Sequence, residues 1–524
     1  MVAEKDLIAS LVSILAADRV LTDDASVCLY AQDIYTRDLP ALAVIRPTSV
    51  EELSMAVKEV TSSGRAIIPR GGGMSYTGGY VPSEAASVIV DMQGMNRVLE
   101  INKEDMYVTV ECGCTWTDLN DALAGSGLRT PFWGTLSGIH ATVGGGISQN
   151  SIFWGSGKHG SAADTVLGLE VVLADGDVVK TGSNSQSNGT PFARHYGPDL
   201  TGLFTCDTGA LGFKAIATLR LINRHEHRES MSFDFEDHPQ MVAAMSEISR
   251  RELAEECFGF DPNLSSVRLQ RQSLLSDVKQ FAGVLKSAGS LVNAIKDGTK
   301  VAIAGRGFMK DVKFSLHVMV EERVAAAASA VADEVRSICK REGAVEIENS
   351  IPKILRANPF TPLNNMVGPN GELWLPIHTV VPHSKAAETM RAIEAVFEKN
   401  AAAIEEHGIG TGLLLATIST NQFTIEPVFF TPDSMNEIHR TYVEDSLLKK
   451  LPGFENNPAA SAVTASLRQQ VIDVFYELGG VHMQIGKSYP YRKGLRPESW
   501  RLIQAIKKNV DPGNRVNPGS LGLD

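Results

Sequence analysis

The sequence is short of cysteine, of long apolar runs and of positive charge, and each shortage excludes something. Its six cysteines in 524 residues are Cys28, Cys112, Cys114, Cys206, Cys257 and Cys339, with neither a CxxC pair nor zinc-ligand spacing. That excludes a disulfide scaffold and a zinc module and fits a reducing compartment. Cys112 and Cys114 fall on one face of a strand, where packing is the expected role. The sequence has no uncharged apolar stretch of about 18 residues, the length needed to span a bilayer. The N-terminal segment carries Glu4, Asp6 and Asp18 among its apolar residues, so it reads as an amphipathic helix and not as a signal peptide. A cytoplasmic protein without a membrane span is expected.

Lys and Arg number 49 against 61 Asp and Glu, a net charge of −12. This argues against nucleic acid or an acidic membrane as the main partner and leaves room for a basic redox protein. With 43% hydrophobic and 21% charged residues the composition is ordinary for a globular protein. The length exceeds what one core usually holds, so more than one domain is expected.

The first part of the chain alternates short strands and helices. ALAVIRP reads as a strand, VEELSMAVKEVTSSG as a helix, and AIIPRGGG as a strand running into a glycine loop. LGLEVVLADGDVVKTG alternates apolar and polar residues about Asp175-Gly176, a strong hairpin signal. From about Glu226 long helices such as VAAAASAVADEVRSICKR alternate with strands such as FSLHVMVE and ELWLPIHTVV, which predicts an antiparallel sheet covered by helices. The α+β chain is divided at 1–225, 226–475 and 476–524, the last segment returning to the first through the DPGNRVNPGSLG turn.

Arg70-Gly71-Gly72-Gly73-Met74-Ser75 follows an apolar strand. Such a loop lets several backbone N–H groups converge on a diphosphate with no Cβ in the way. It is neither a GxGxxG dinucleotide fingerprint nor a P-loop. A second cluster, GTLSGIHATVGGGISQN, adds Gly144, Gly145 and Gly146. A single such loop is as easily a turn; the conjunction carries the reading.

With PRGGGMSYTGG, ATVGGGISQN, GKHGSAADTVLGLEVVLADGDVV, DLTGLFTCDTGALGFKAIATLRL and DPGNRVNPG in that order, the sequence resembles the flavoprotein family of vanillyl-alcohol oxidase, para-cresol methylhydroxylase and the D-lactate and glycolate dehydrogenases. The resemblance implies an FAD-binding domain of two α+β parts and a cap domain with an antiparallel sheet. It further implies that Arg70, Gly71, Gly72, Gly73, Met74 and Ser75 contact the FAD diphosphate. Ser137, Gly138, Thr142, Val143, Ser148, His159 and Gly160 would line the flavin, and Ile216 would lie near the adenine. Met74 replaces the histidine by which some relatives bind FAD covalently. Aligning GELWLPIHTVVP without gaps puts Leu373 where others use a cap histidine, with His378 nearby as an alternative. Non-covalent FAD is expected.

GKSYPYRKGL places Tyr491 beside Arg492, similar to the pair that holds the phenolate in para-phenol oxidising members. Ionising a phenol of pKa about 10 at neutral pH costs roughly 4 kcal/mol. A few charge-assisted hydrogen bonds of about 1.5–3 kcal/mol each are of that size. Tyr76, Tyr80 or Tyr489 can contribute as well, and the bland reading of the pair is a surface tyrosine in a basic run with Lys487, Lys493 and Arg496. The family's aspartate near flavin N5 is absent from Thr135-Leu136-Ser137. The resulting expectation is an enzyme taking hydride from a para-hydroxyaryl alcohol or alkylphenol.

A D-2-hydroxy-acid dehydrogenase is the alternative, since DLTGLF, GALGF and HMQIGK resemble that branch, with Arg492, Lys487 or Arg306 pairing the carboxylate. A non-catalytic flavin-binding electron-transfer subunit is a third reading. His482 is the candidate base and His140 the second, a neutral imidazole being matched to an alcohol proton; a structural histidine is the competing reading of each. His317, His378 and His383 lack the context of a metal motif, so no metal is expected. Glu426 and Pro427 interrupt the apolar QFTIEPVFF, where a buried carboxylate needs a partner; the residue either pairs at the pocket or faces water. Expected partners are a small aromatic substrate, oxygen or a cytochrome or quinone as electron acceptor, and a second copy of the chain.

Overall fold

Helix signals near the N-terminus translate directly into structure in the computed structural model, which describes residues 4–37, 40–270 and 312–523. Glu4–Leu15 forms a helix that buries Leu7, Leu11 and Leu15, one residue per turn on a single stripe. Val50–Ser62 buries Leu53, Ala56, Val57 and Val60. Its N-cap Ser49 accepts from the Glu52 N–H while Glu52 accepts from the Thr48 N–H, satisfying donors that the first turn leaves open.

These helices pack on a four-stranded sheet in the order Val20–Leu21, Ala43–Ile45, Val88–Asp91, Ile67–Arg70. The last three strands run parallel. A second, five-stranded antiparallel sheet runs Val98–Asn102, Tyr107–Glu111, Phe213–Arg220, Val166–Val172, Val178–Lys180. Its last two strands pair Val172 with Val178. The intervening turn holds Gly176 at φ +88, a conformation that costs glycine little.

The remaining large sheet has eight antiparallel strands drawn from residues 227–431. At its centre Glu256–Phe260 pairs with Gly410–Ile418, which pairs with Gln422–Thr431. Strand alternation gives this sheet two different faces. Phe423, Ile425, Phe429, Leu413 and Leu415 join a core with Met241, Val335, Ile393 and Val471 from four covering helices. The intervening residues Thr424, Glu426, Val428, Phe430, Leu414 and Ala416 face a cavity on the opposite side.

The C-terminal turn lies against the first sheet, where Val516 bridges Ile67 and the Ile67 N–H donates to Arg515 O at 2.8 Å. Buried Lys507 secures it, donating to Ala210 O at 2.7 Å, Val516 O at 2.7 Å and Asp511 Oδ2 at 2.6 Å. Replacing Lys507 with Met leaves buried Asp511 without its countercharge, held only by the Arg515 and Val516 N–H groups, and takes a donor from two buried carbonyls. This should destabilise the protein by about 3–5 kcal/mol, read as a lowered urea midpoint at unchanged slope.

Candidate functional site

The Ile67–Arg70 strand delivers its glycine loop onto the backbone of the second loop. A Cβ on Gly72 would overlap the His140 carbonyl oxygen, and one on Gly71 would overlap the Thr142 hydroxyl. Gly73 has φ +72 and lies against the Arg70 guanidinium. That guanidinium is buried, 4.3 Å from the Tyr30 ring centroid and 5.4 Å from that of Tyr80. Tyr80 Oη donates to Gly73 O at 2.7 Å and Ser75 O at 3.2 Å. With the carbonyls held back, the N–H groups of Gly72, Gly73 and Met74 have no backbone acceptor among the described residues. The loop is a set of open donors with a buried positive charge behind it, the arrangement that receives an anion.

The second loop supplies the opposite wall. Thr142 caps the Val143–Gln149 helix, accepting from the Gly145 N–H at 3.1 Å. Its successive glycines serve different contacts: Gly144 packs on Cys112 and Gly146 on Trp116, with no room for a Cβ, whereas Gly145 opens onto the cavity. Lys214 also lines the cavity, paired with Asp207 at 2.7 Å.

Of the residues implicated by sequence, Gly71, Gly72, Gly73, Met74, Ser75, Ser137, Thr142 and Ser148 line this one cavity. Others support it without reaching the wall. Arg70 stands behind the first loop, Val143 is buried in the core beneath the second, and Gly138 lies under the Phe360 ring. His159 turns instead to Glu255, at 3.3 Å, with Gly160 following at φ +87. Ile216 pairs with Glu111 in the five-stranded sheet and packs on the core beneath the four-stranded one.

The cap side of the cavity is largely apolar, with Thr361, Asn365 and Thr424 on it and one hydrogen-bonded polar cluster. Tyr76 Oη donates to Glu426 Oε2 at 3.0 Å, and Gln484 Nε2 donates to Tyr76 Oη at 3.2 Å. The Tyr76 ring stands edge-on to Trp374, centroids 5.5 Å apart. Burial first, then the Glu426 charge, pushes the Tyr76 phenol well above its ordinary pKa, so Tyr76 remains a hydrogen-bond donor at neutral pH. Behind it lies a second buried layer. His482 stacks parallel on Tyr489 at 3.8 Å and contacts His378 O through Nδ1 at 2.9 Å. Burial lowers His482 to about 4 and His378 to about 3, so both are neutral and both lie off the cavity wall.

Tyr491 and Arg492 are not brought to the cavity. They open the short Tyr491–Gly494 helix, with Tyr491 half-buried against the core of the large sheet and Arg492 exposed, 5.4 Å from the Trp500 ring. The inward tyrosine of that segment is Tyr489, which receives the His378 N–H at 2.7 Å. Lys487 donates to Val81 O, and Arg306 lies outside the described residues. His140 packs edge-on against Tyr442 at 4.8 Å. His317 contacts Ser232 at 2.8 Å and His383 contacts Ser246 at 3.1 Å, both within the large sheet and its helices. Sequence reasoning left Glu426 unassigned and missed Gln484 and Trp374. The signal for Glu426 was present in the alternation of QFTIEPVFF, which puts it on the face opposite Ile425 and Phe423.

Residues 41–182 match a family described as FAD binding domain. The glycolate oxidase subunit GlcD of Bacillus subtilis is 24% identical over 499 residues, covering 91% of this chain and 88% of that protein. A mitochondrial cytochrome-linked D-lactate dehydrogenase of Arabidopsis thaliana is 35% identical over 184 residues, 35% of this chain and 31% of that protein. Among solved structures, p-cresol methylhydroxylase with substrate bound has a TM-score of 0.75 at 18% identity, covering 100% of this chain and 98% of that one. The 4-ethylphenol oxidase of Gulosibacter chungangensis in an isoeugenol complex has 0.74 at 16% identity, covering 99% and 97%.

The glycine cradle fits FAD: the contacts that exclude every Cβ from Gly71 and Gly72 also keep their backbone exposed to a diphosphate. Gly72→Ala should therefore fold, by its circular dichroism, and lose most of its flavin on gel filtration, read from the ratio of visible to ultraviolet absorbance. The open donors of the first loop, the small-residue wall of the second and the matched FAD binding domain lead to one assignment: this chain is an FAD-linked oxidoreductase with the fold of p-cresol methylhydroxylase.

Proposed function

We propose that the enzyme oxidises an aryl alcohol, the substrate lying between the second glycine loop and the cap strands. The observation that carries this reading is the chemistry of the cap wall. Leu264, Leu414, Ala416, Val428, Phe430 and Trp374 line it around the cluster of Tyr76, Glu426 and Gln484, with Thr361, Asn365 and Thr424 as further polar residues. Burying an aromatic ring of roughly 150 Å² there is worth about 4 kcal/mol at about 25 cal/mol per Å². A carboxylate in the same place has to give up far more hydration than a neutral ring. Among the described residues Lys214 is the cation on the wall, and Asp207 already neutralises it.

Bound FAD supplies the hydride acceptor. The chain's own contribution is to hold that cofactor through the donors of Gly72 to Met74, to exclude water with the apolar strands, and to orient the substrate hydroxyl with Tyr76 and Glu426. FAD is held without a covalent bond in this reading, because Met74 in the first loop and Leu373 on the cap stand at the positions where relatives attach it. Acid precipitation should leave the yellow colour in the supernatant; colour in the washed pellet would contradict it.

A D-2-hydroxy acid is the second reading, favoured by the names of the glycolate oxidase subunit and D-lactate dehydrogenase to which the chain is similar. Anaerobic mixing separates the two. The aryl alcohol reading expects 4-hydroxybenzyl alcohol to bleach the flavin and D-lactate and glycolate to leave it oxidised; bleaching by the hydroxy acids alone overturns it.

A further inference from the structure

We infer that the side-chain amide of Gln149 pairs with the pyrimidine edge of the bound flavin, its oxygen accepting from the ring N3–H and its NH2 group donating to a neighbouring ring carbonyl. The inference rests on the FAD assignment and holds whichever substrate donates the hydride. Gln149 is the last residue of the Val143–Gln149 helix and lines the cavity. Its Oε1 is buried without a hydrogen-bond partner, and its Nε2 makes no hydrogen bond among the described residues. A buried amide left unpaired is costly. A ligand in the cavity that supplies both a donor and an acceptor removes that cost.

The residue is held firmly by its surroundings while the amide itself stays unbonded. Asn150 ends the helix at φ +49, and its Oδ1 accepts from the Ala163 N–H at 3.2 Å. The Ser148 carbonyl accepts from the Thr208 N–H at 2.9 Å, and the Gln149 carbonyl from the Gln484 N–H at 2.8 Å. Three separate segments thus fix this helix end, which is how a pre-organised ligand contact is built. Gly79 leaves the amide its space, since a Cβ there would lie 2.8 Å from Gln149 Nε2.

Position selects the part of FAD. Two of its edges set an N–H beside an acceptor, as a primary amide requires: the isoalloxazine N3–H between two carbonyls, and the adenine amino group beside a ring nitrogen. Gln149 is joined through Gln484 to Tyr76, which meets the cap strand at Glu426. The ring that accepts hydride has to reach the substrate beside the cap, so the isoalloxazine comes to this end of the cavity. Met92, Cys112 and Lys214, from the two sheets of the cofactor side, line the cavity for the rest of the nucleotide.

The test is competition between FAD and 3-methyl-FAD, whose methyl group replaces the N3 hydrogen, in the wild type and Gln149→Leu. Holoenzyme is equilibrated with an equimolar excess of both, freed of unbound flavin by gel filtration, and the bound flavins are weighed by mass spectrometry. The wild type should prefer FAD by about tenfold or more and Gln149→Leu by less than about twofold. Equal uptake of the two flavins by the wild type overturns the inference. So does a preference that Gln149→Leu leaves undiminished, which gives the N3–H to another group. Equal uptake joined to weaker displacement of FAD by ADP in the variant assigns the amide to the adenine instead. If Gln149→Leu fails to fold, Gln149→Met takes its place with the same expectation. If the flavin does not exchange, the infrared carbonyl bands of the bound ring decide: they should rise in wavenumber in the variant, and unchanged bands reject the pairing.

Discussion

The backbone of Gly72 rests on the carbonyl of His140 with no space for a Cβ, and the cofactor site is arranged around that approach. The contact turns the first loop's N–H groups toward the cavity, because its carbonyls are taken from the other side by Tyr80. The loop's far end is fixed by the C-terminal turn, where Asn517 Nδ2 donates to Gly79 O at 2.7 Å and Thr208 O at 2.8 Å. Thr208 has φ +54, a strained conformation for a β-branched residue. Its hydroxyl accepts from the Gly486 N–H at 3.2 Å. Segments from both ends of the chain thus converge on one loop. This is why a polar, glycine-rich terminus that would otherwise fray is buried and hydrogen-bonded.

The cap sheet has to be held over that loop, and buried charge holds it. Arg129, in the short strand Leu128–Arg129 that precedes the second loop, pairs with Glu255 at 2.8 Å and Glu321 at 3.6 Å. Arg356 pairs with Glu256 and Glu321 and stacks 4.5 Å from the Trp133 ring. Burial would raise Glu255, but His159 and Arg129 outweigh it and hold this carboxylate at about 2. Arg356 is lowered by burial to about 10, so it too is charged at neutral pH. Such pairs add little net stability over apolar packing, yet breaking one is costly. Their effect here is registry. Glu256 also accepts the Gly155 N–H at 2.8 Å, which ties the chain following the second loop to the strand edge. Phe153, two residues earlier, is on the cavity wall.

Features set by local chemistry were legible in the sequence. The helix from Val50, the Asp175-Gly176 hairpin and the two glycine loops each follow from a few adjacent residues. The α+β architecture and the FAD site are what those loops imply together. Side-chain direction in irregular segments was not legible. In Tyr489-Pro490-Tyr491-Arg492 no period says which tyrosine turns inward; stacking on His482, some seven residues earlier and reached through tertiary packing, selects Tyr489. His159 sits in a glycine-flanked stretch that suggests a flavin contact, but a buried carboxylate from a distant strand claims it. Glu426 could be placed on a strand face, whereas its partner Tyr76 is separated by 350 positions, a pairing that only the fold makes.

Likeness names both kinds of substrate, glycolate and D-lactate among the sequence relatives and p-cresol and 4-ethylphenol among the solved structures. The family match covers residues 41–182, which contain the glycine loops and none of the large sheet. The wall that a substrate would meet on the cap side comes from residues 264 to 430, beyond that match. Cofactor chemistry is common to hydroxy-acid and aryl-alcohol oxidation, so a matched FAD binding domain constrains the hydride acceptor and leaves the donor open. What discriminates donors is whether the wall supplies a positive charge or an apolar surface with a hydrogen-bonding end. In this chain the strands supply leucine, valine and phenylalanine around one carboxylate. In the proposed aryl alcohol reading, a neutral hydroxyl among those apolar side chains has its hydrogen-bonding partners in Tyr76 and Glu426.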